Sequence, residues 1–209
     1  MAPVHGFAAA QSNVSPLEVF AEPASAAGTA PVQTLANPTW EGYPLVLSII
    51  DTSDDGRWYH ARLPVRPNGS TGWIRAADVT IWDVPNRIVV DLTDHLLTVF
   101  AGDSDQTLLS LPVGVGRGST PTPVGDFYID IVNPLGGHRV YGWGQLSVAG
   151  FSEVYQSFGG GIGQIALHGW NNPNVVGDDV SNGCVRMRNE DIAALADLAP
   201  LGTPVSIVE

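Results

Sequence analysis

Short apolar runs broken by turn residues set the rhythm of the chain. Residues 44–51 (PLVLSIID) are apolar and β-branched, Asp54-Asp55-Gly56 forms a turn signal, and residues 57–63 (RWYHARL) alternate. Asn68-Gly69 turns the chain back, and Gly72-Trp73-Ile74-Arg75 resumes the alternation. With Leu17-Glu18-Val19-Phe20 ahead of them, these segments predict about five short strands between Pro16 and Trp82 and no helix, which is the pattern of a small β-barrel. The small and polar residues 1–15 read as a flexible tail, and an Ala/Gly/Pro-rich loop follows Phe20.

Val84-Pro85-Asn86 is a plausible junction, so the expected division is a tail over 1–15, a barrel over 16–83 and a second domain over 86–209. Beyond the junction, residues 87–92 (RIVVDL) and 96–100 (LLTVF) predict a strand pair, followed by strands over 107–113, 127–132 and 203–208. Residues 133–163 are glycine-rich and show no strong period, the mark of a long lid or binding loop. One helix is predicted over 189–199. Asn189 suits its N-cap, Glu190 and Asp191 suit the positive end of its dipole, and Ile192, Leu195 and Leu198 recur at helical spacing before Pro200 and Gly202. The fold class is therefore mainly β, with a small N-terminal barrel and a β-rich second domain carrying one C-terminal helix.

Composition narrows the possibilities. A chain of 209 residues with 44% hydrophobic and 14% charged residues folds around a substantial core. The net charge is −12 and all nine basic residues are arginine, which argues against nucleic acid or anionic membrane as a partner. The acid excess is concentrated beyond Trp82, at −9 against −3 before it. No apolar run is long enough for a transmembrane segment. The opening MAPVHGFAAA has no secretory pattern, so either an export segment precedes it or the protein stays in the cytoplasm. A single cysteine excludes an internal disulfide and a cysteine-rich zinc site.

The densest chemistry lies in residues 165–188, IALHGWNNPNVVGDDVSNGCVRMR. Cys184 has His168 sixteen positions upstream, Ser181 and Arg186 beside it, and Gly169 and Gly183 next to the two reactive side chains. A thiol attacks as thiolate and needs a base or a cation nearby, and imidazole serves because its free pKa is near neutrality. Glycines let backbone N–H groups approach a reacting carbonyl. His168 would sit at a strand end opening into a loop. Against this stands the ordinary fate of a lone cysteine, burial as a small hydrophobe. A metal site from His168, Asp178, Asp179 and Cys184 lacks the usual zinc spacing.

At these residues the chain resembles the L,D-transpeptidase catalytic family, the YkuD-like domain of bacterial cell-wall enzymes. The family's His-Gly and Ser-x-Gly-Cys-x-Arg followed by a hydrophobic residue are all present, as His168, Gly169, Ser181, Gly183, Cys184, Arg186 and Met187. Asn182 stands where many members carry histidine. Gly114 to Thr120 superficially suggests a phosphate loop but lacks its Gly-Lys-Ser/Thr ending. Thr120-Pro121-Thr122-Pro123-Val124-Gly125-Asp126-Phe127 matches instead the Thr-Pro-x-Gly-x-Phe stretch of the same family. Gly56-Arg57-Trp58-Tyr59 and Thr71-Gly72-Trp73-Ile74-Arg75 resemble the bacterial Src-homology-3-like domain, with Trp58 and Trp73 expected in its core.

The resemblance implies an acyl transfer on peptidoglycan stem peptides without metal or organic cofactor. Cys184 would be the nucleophile and His168 its base, oriented by the Gly169 carbonyl. Amides around Gly183 and Cys184 would hold the oxyanion, and Ser181 would aim the cysteine loop. Arg186, Asn182, Tyr141 and Trp143 are the candidates for substrate contact, the last two because the family's corresponding segment overhangs the cysteine. It further implies an extracytoplasmic, cell-envelope location, with the N-terminal domain in contact with wall polymer or bracing its neighbour. A sortase, which uses histidine, cysteine and arginine in the same order, would show a Thr-Leu-x-Thr-Cys strand and wider spacing, neither of which is present. A non-catalytic wall-binding protein is the alternative of another class, and water as acceptor would make the enzyme an L,D-carboxypeptidase.

Overall fold

The computed structural model describes residues 6–23, 30–158 and 160–209. Residues 1–5 of the expected tail, and residues 24–29 of the Ala/Gly/Pro-rich loop, lie outside the described residues.

The alternating segments of the first third form β1 (Phe7–Ser12), β2 (Leu17–Val19), β3 (Gln33–Leu35), β4 (Val46–Thr52), β5 (Trp58–Arg62), β6 (Thr71–Arg75) and β7 (Val79–Val84). Five of them make one antiparallel sheet in the order β6-β5-β4-β1-β7. Residues 7–12, expected in a flexible tail, are its next-to-last strand, hydrogen-bonded to β4 on one side and β7 on the other. Their composition conceals this: Ala8, Ala9 and Ala10 are small because the position is buried, not because the segment is mobile. β2 pairs with β3, and Phe20 bridges to Trp73, so this ribbon covers the free edge of β6. Trp58 is core and meets Phe20 edge-on at 5.1 Å. Trp73 is not in the core. It lies on the opposite face from Ile74 and stacks on His60 at 4.9 Å.

The remainder forms β8 (Asn86–Asp91), β9 (Leu96–Ala101), β10 (Thr107–Pro112), β11 (Val115–Gly116), β12 (Gly125–His138), β13 (Gly142–Phe151), β14 (Gln164–Trp170), β15 (Asp179–Ser181), β16 (Val185–Arg188), α1 (Asn189–Leu198) and β17 (Pro204–Val208). An eight-stranded sheet runs β10-β9-β8-β17-β12-β13-β14-β16. Its core gathers Ile88, Leu97, Ile129, Leu146, Leu167 and Met187, sealed by Ile192 and Leu195 of α1. Half of the stretch expected to be a long loop is in fact a β-hairpin: β12 continues to His138 and β13 returns from Gly142. Of that stretch, the described residues beyond the hairpin are 152–158 and 160–163. Asn189 is the first helical residue rather than the N-cap, which is Arg188 and makes no side-chain cap bond.

The two sheets meet through specific contacts. Tyr128 Oη, fully buried, donates to Val46 O at 3.1 Å, and Arg62 pairs with Asp126 at 3.2 Å. Trp82 Nε1 donates to Leu201 O at 3.3 Å. A Cβ on Gly202 would come within 2.1 Å of the Ala9 methyl, so glycine is what allows this approach.

Candidate active site

Strand alternation builds the site. On β14, Ile165 and Leu167 face the core, while Gln164, Ala166, His168 and Trp170 share the other face and line a cavity of about 480 Å³. His168 is thus within a strand, not at its end as expected. β16 pairs parallel to β14 with Leu167 opposite Val185 and His168 opposite Arg186, so Val185 and Met187 enter the core while Arg186 turns to the cavity. Cys184, one residue ahead of β16, opens into the same cavity. From β13, Gln145 and Ser147 complete the floor.

His168 is 5% exposed, and its Nδ1 lies 2.8 Å from Gly169 O. A carbonyl can only accept, so Nδ1 carries the hydrogen and Nε2 keeps its lone pair. Burial, reinforced by the Arg186 charge and opposed by the Gly169 hydrogen bond, lowers the imidazole pKa to about 4. The ring is neutral at physiological pH. Gly169 has no room for a side chain: a Cβ would lie 2.5 Å from Asn189 Oδ1 and 2.6 Å from Tyr141 O.

Cys184 is half-buried. Burial pushes its thiol pKa up, while the Ala166 amide and the Arg186 charge favour the thiolate. Desolvation dominates at both groups and in the same sense, so the resting pair is thiol and neutral imidazole. Ser181, fully buried, ties the loop around the sulfur by donating from Oγ to Cys184 O at 2.6 Å and accepting from Gly183 N at 3.0 Å. The Gly183 amide, expected to face the substrate, is therefore engaged inside the loop. Gly183 has φ +118°, a left-handed conformation that favours glycine.

The glycine-rich stretch that mimics a phosphate loop braces this turn. Gly114 bridges to Arg186, β11 pairs with β15, and Ser181 O accepts from Arg117 N at 3.1 Å and Thr120 Oγ1 at 3.2 Å.

Among the candidate contact residues, Asn182, Arg186 and Tyr141 line the cavity. The Tyr141 ring meets the His168 ring edge-on at 5.0 Å, and the Arg186 guanidinium sits 4.0 Å above Trp170. Arg186 Nε is buried without a partner. Trp143 does not join them; it packs against the core of the eight-stranded sheet, between Gly142 and Gly144, whose positive φ values break the alternation that puts Gln145 and Ser147 on the cavity side. Asp179 bonds His95 at 2.9 Å, and among the described residues no group of three or more histidine, cysteine or acidic side chains could hold a metal ion.

Tyr155, Phe158 and Ile162, from the stretch expected to form a lid or binding loop, line the cavity as well; Trp40 and Glu41, which join them from the N-terminal part, were not foreseen. Arg66, also N-terminal, donates to three carbonyls around that loop: Ser152 O at 2.7 Å, Tyr155 O at 2.9 Å and Ile162 O at 3.2 Å. Asn68 bonds both the N–H and the C=O of Phe151, at 2.9 and 2.8 Å, as a strand would. Gln145 and Ser147 were missed with the strand that carries them, whose alternation over residues 145–148 is too short to stand out among the glycines. Arg66 and Asn68 carry no local signal, since their partners lie more than 80 residues away.

Residues 85–207 match the L,D-transpeptidase catalytic domain family, YkuD. A putative L,D-transpeptidase YkuD of Bacillus licheniformis is 37% identical over 126 residues, 59% of this chain and 66% of that protein. Its namesake in Bacillus subtilis is 35% identical over 128 residues, 60% of this chain and 68% of that protein. The chain thus spans about two thirds of the length of these relatives. A solved L,D-transpeptidase from Mycobacterium smegmatis superposes with a TM-score of 0.48 at 18% identity, over 93% of this chain and 100% of that one. Through residues 85–207, the chain belongs to the L,D-transpeptidase catalytic domain family.

Proposed function

We propose that the protein is a peptidoglycan L,D-transpeptidase in which Cys184 and His168 carry a two-step acyl transfer. His168 Nε2 takes the thiol proton as sulfur attacks the amide carbonyl at the L-centre of the diamino acid in a tetrapeptide stem. The Cys184 amide is the candidate oxyanion donor, worth roughly 3 kcal/mol at the transition state by analogy with other acyl-transfer sites. The tetrahedral intermediate collapses as the C–N bond breaks, and His168 returns its proton to the departing D-alanine. A side-chain amine of a second stem then attacks the thioester. The new amide forms, the C–S bond breaks, and the thiol is restored, leaving a three-to-three cross-link.

The observation that carries this assignment is that a buried, neutral His168 with its lone pair on Nε2, inside β14, and the Cys184 thiol, just ahead of the paired β16, open into one cavity. Arg186 and Tyr141 are positioned to meet substrate there, with Asn182 at the rim. Ser181 and Gly169 act as positioning residues, through the cysteine loop and the imidazole respectively. We also assign the N-terminal part to a Src-homology-3-like module that begins at β1 and braces the catalytic half, and the whole to the extracytoplasmic envelope where such stems occur. The loops of this half that wall the cavity favour bracing over a separate task.

Incubation with purified tetrapeptide stems, followed by mass spectrometry, tests the chemistry. Wild type is expected to release D-alanine and form dimers, Cys184→Ala to do neither, and a carbapenem to add covalently to the wild-type sulfur alone. Normal turnover by Cys184→Ala would end the assignment. Release of D-alanine without dimers would make the protein an L,D-carboxypeptidase.

A further inference from the structure

A second cavity, of about 250 Å³, lies between the N-terminal part and β12 and adjoins the catalytic cavity, sharing Trp40, Glu41, Ile162 and Gln164 with it. Its charged lining is Asp130 and Glu41, and among the described residues no basic side chain faces it. Asp130 stands in the middle of an apolar strand and is only 9% exposed. One of its oxygens accepts from Gln164 Nε2 at 2.6 Å; the other, Oδ1, is buried with no partner. Thr39 lines the same cavity, and its Oγ1 is likewise buried and unpartnered. Buried polar atoms are almost always satisfied, so two orphans on residues lining one cavity point to a missing donor.

The chemistry of the walls identifies that donor. Two carboxyl groups exclude an anion. A primary ammonium donates and cannot accept, and it gains from the Asp130 and Glu41 charges. Leu35, Val65 and Ile131 around them suit an aliphatic stem, and the half-exposed Trp40 at the shared mouth offers a ring face to a passing cation. We propose that this cavity is a subsite for a primary alkylammonium group, by which the protein selects an amine-bearing ligand at the far end of the catalytic cavity. The amine held here is not the one that attacks the thioester, since neither Cys184 nor His168 lines this cavity; its use in selecting a substrate with a further amine rests on the acyl-transfer assignment, whereas its affinity for an ammonium does not. Burial and the Glu41 charge hold the Asp130 carboxyl up at about 7, a state that a bound cation would reverse.

The test is titration of the full chain with n-butylammonium chloride by ligand-detected NMR, with n-butanol as the neutral isostere. Saturable binding is expected, about ten-fold tighter than butanol. Asp130→Asn should weaken it by about ten-fold, and Glu41→Gln and Thr39→Val each by a few-fold. Glu41 is exposed, so its variant still tests the subsite even if Asp130→Asn does not fold. Binding unchanged in Glu41→Gln and Thr39→Val, binding no tighter than butanol, or no saturable binding would each overturn the proposal. Cys184→Ala should bind butylammonium as wild type does. Retained binding without acyl transfer would sink the enzymatic assignment alone, whereas lost binding with D-alanine release intact would sink this one alone.

Discussion

Replacing Arg66 by alanine should loosen the roof of the catalytic cavity without unfolding the sheet beneath it. The guanidinium makes three hydrogen bonds, at 2.7, 2.9 and 3.2 Å, to carbonyls of Ser152, Tyr155 and Ile162, and it also lies 4.9 Å from the Phe151 ring centroid. A hydrogen bond to a charged group contributes about 1.5–3 kcal/mol when well shielded. Arg66 is half-buried, so about 1 kcal/mol per bond is the fitting figure after solvent screening, or about 3 kcal/mol in all. That corresponds to a rise on the order of a hundredfold in the open population of the loop. The Ser152 amide donates to Gly163 O, and the Phe158 and Gly161 amides exchange bonds across the loop, so these three report the opening. Native-state hydrogen exchange should show them speeding by about that factor in Arg66→Ala while β12 and β14 amides are spared. Arg66→Lys, which keeps the charge but loses the planar fork, should fall between. KM for a stem peptide should rise more than kcat falls. Unchanged exchange at the three amides, or equal acceleration throughout the sheet, would refute the role of Arg66 as a clamp.

Four further outcomes follow from the geometry. Gly169→Ala should cost about 1–3 kcal/mol, seen in urea melts, because its methyl would press on Asn189 and on the Tyr141 carbonyl; no loss would mean the helix can retreat freely. Ser181→Ala removes a buried pair of hydrogen bonds and should cost about 1–3 kcal/mol while slowing Cys184 alkylation, both read on the same preparation. The rate of Cys184 alkylation by iodoacetamide should climb steadily from about pH 5 to about pH 8, because the shifts at both groups favour the neutral pair; a plateau in that range would reveal a preformed thiolate. Asp130 has its folded pKa raised from 3.8 to about 7, so its contribution to stability is full below the unfolded value and is lost as pH rises through the folded one, by about 4 kcal/mol in total. Asp130→Asn should therefore gain on wild type between about pH 4 and pH 8 in urea titrations, and a pH-independent difference would contradict this.

Much of the catalytic half was legible because its signals are local. The runs RIVVDL and LLTVF became β8 and β9, and the helical spacing of Ile192 and Leu195 became the buried face of α1. His168, Cys184 and the residues between them were picked out by chemistry and motif, and both side chains open into one cavity. What escaped was set by distance. Phe7–Ser12 looked mobile because alanine has no strand preference of its own, and only pairing with β4 and β7 gives it one. The β12–β13 hairpin was hidden by Gly136, Gly137 and Gly142, whose positive φ values serve its turn and bulge. Trp143 was mistaken for a site residue, and alternation would not have corrected this, because it shares parity with Gln145 and Ser147 and only the positive φ at Gly142 and Gly144 sets it apart. Asp130 had a signal that went unused: a carboxylate inside FYIDIV contradicts the strand's own polarity.

β17 has a consequence for the order of assembly. It lies between β8, to which it is parallel, and β12, to which it is antiparallel, so it is the seam joining the two halves of the eight-stranded sheet. Yet of the described strands it is the last to leave the ribosome. A nascent polypeptide can complete its first sheet by Val84 and fold the β12–β13 hairpin early, but it holds two unjoined half-sheets until residues 204–208 emerge. Long-range closure of this kind makes folding slow and all-or-none, and it keeps the thiol from acquiring a finished pocket before residues 204–208 have emerged.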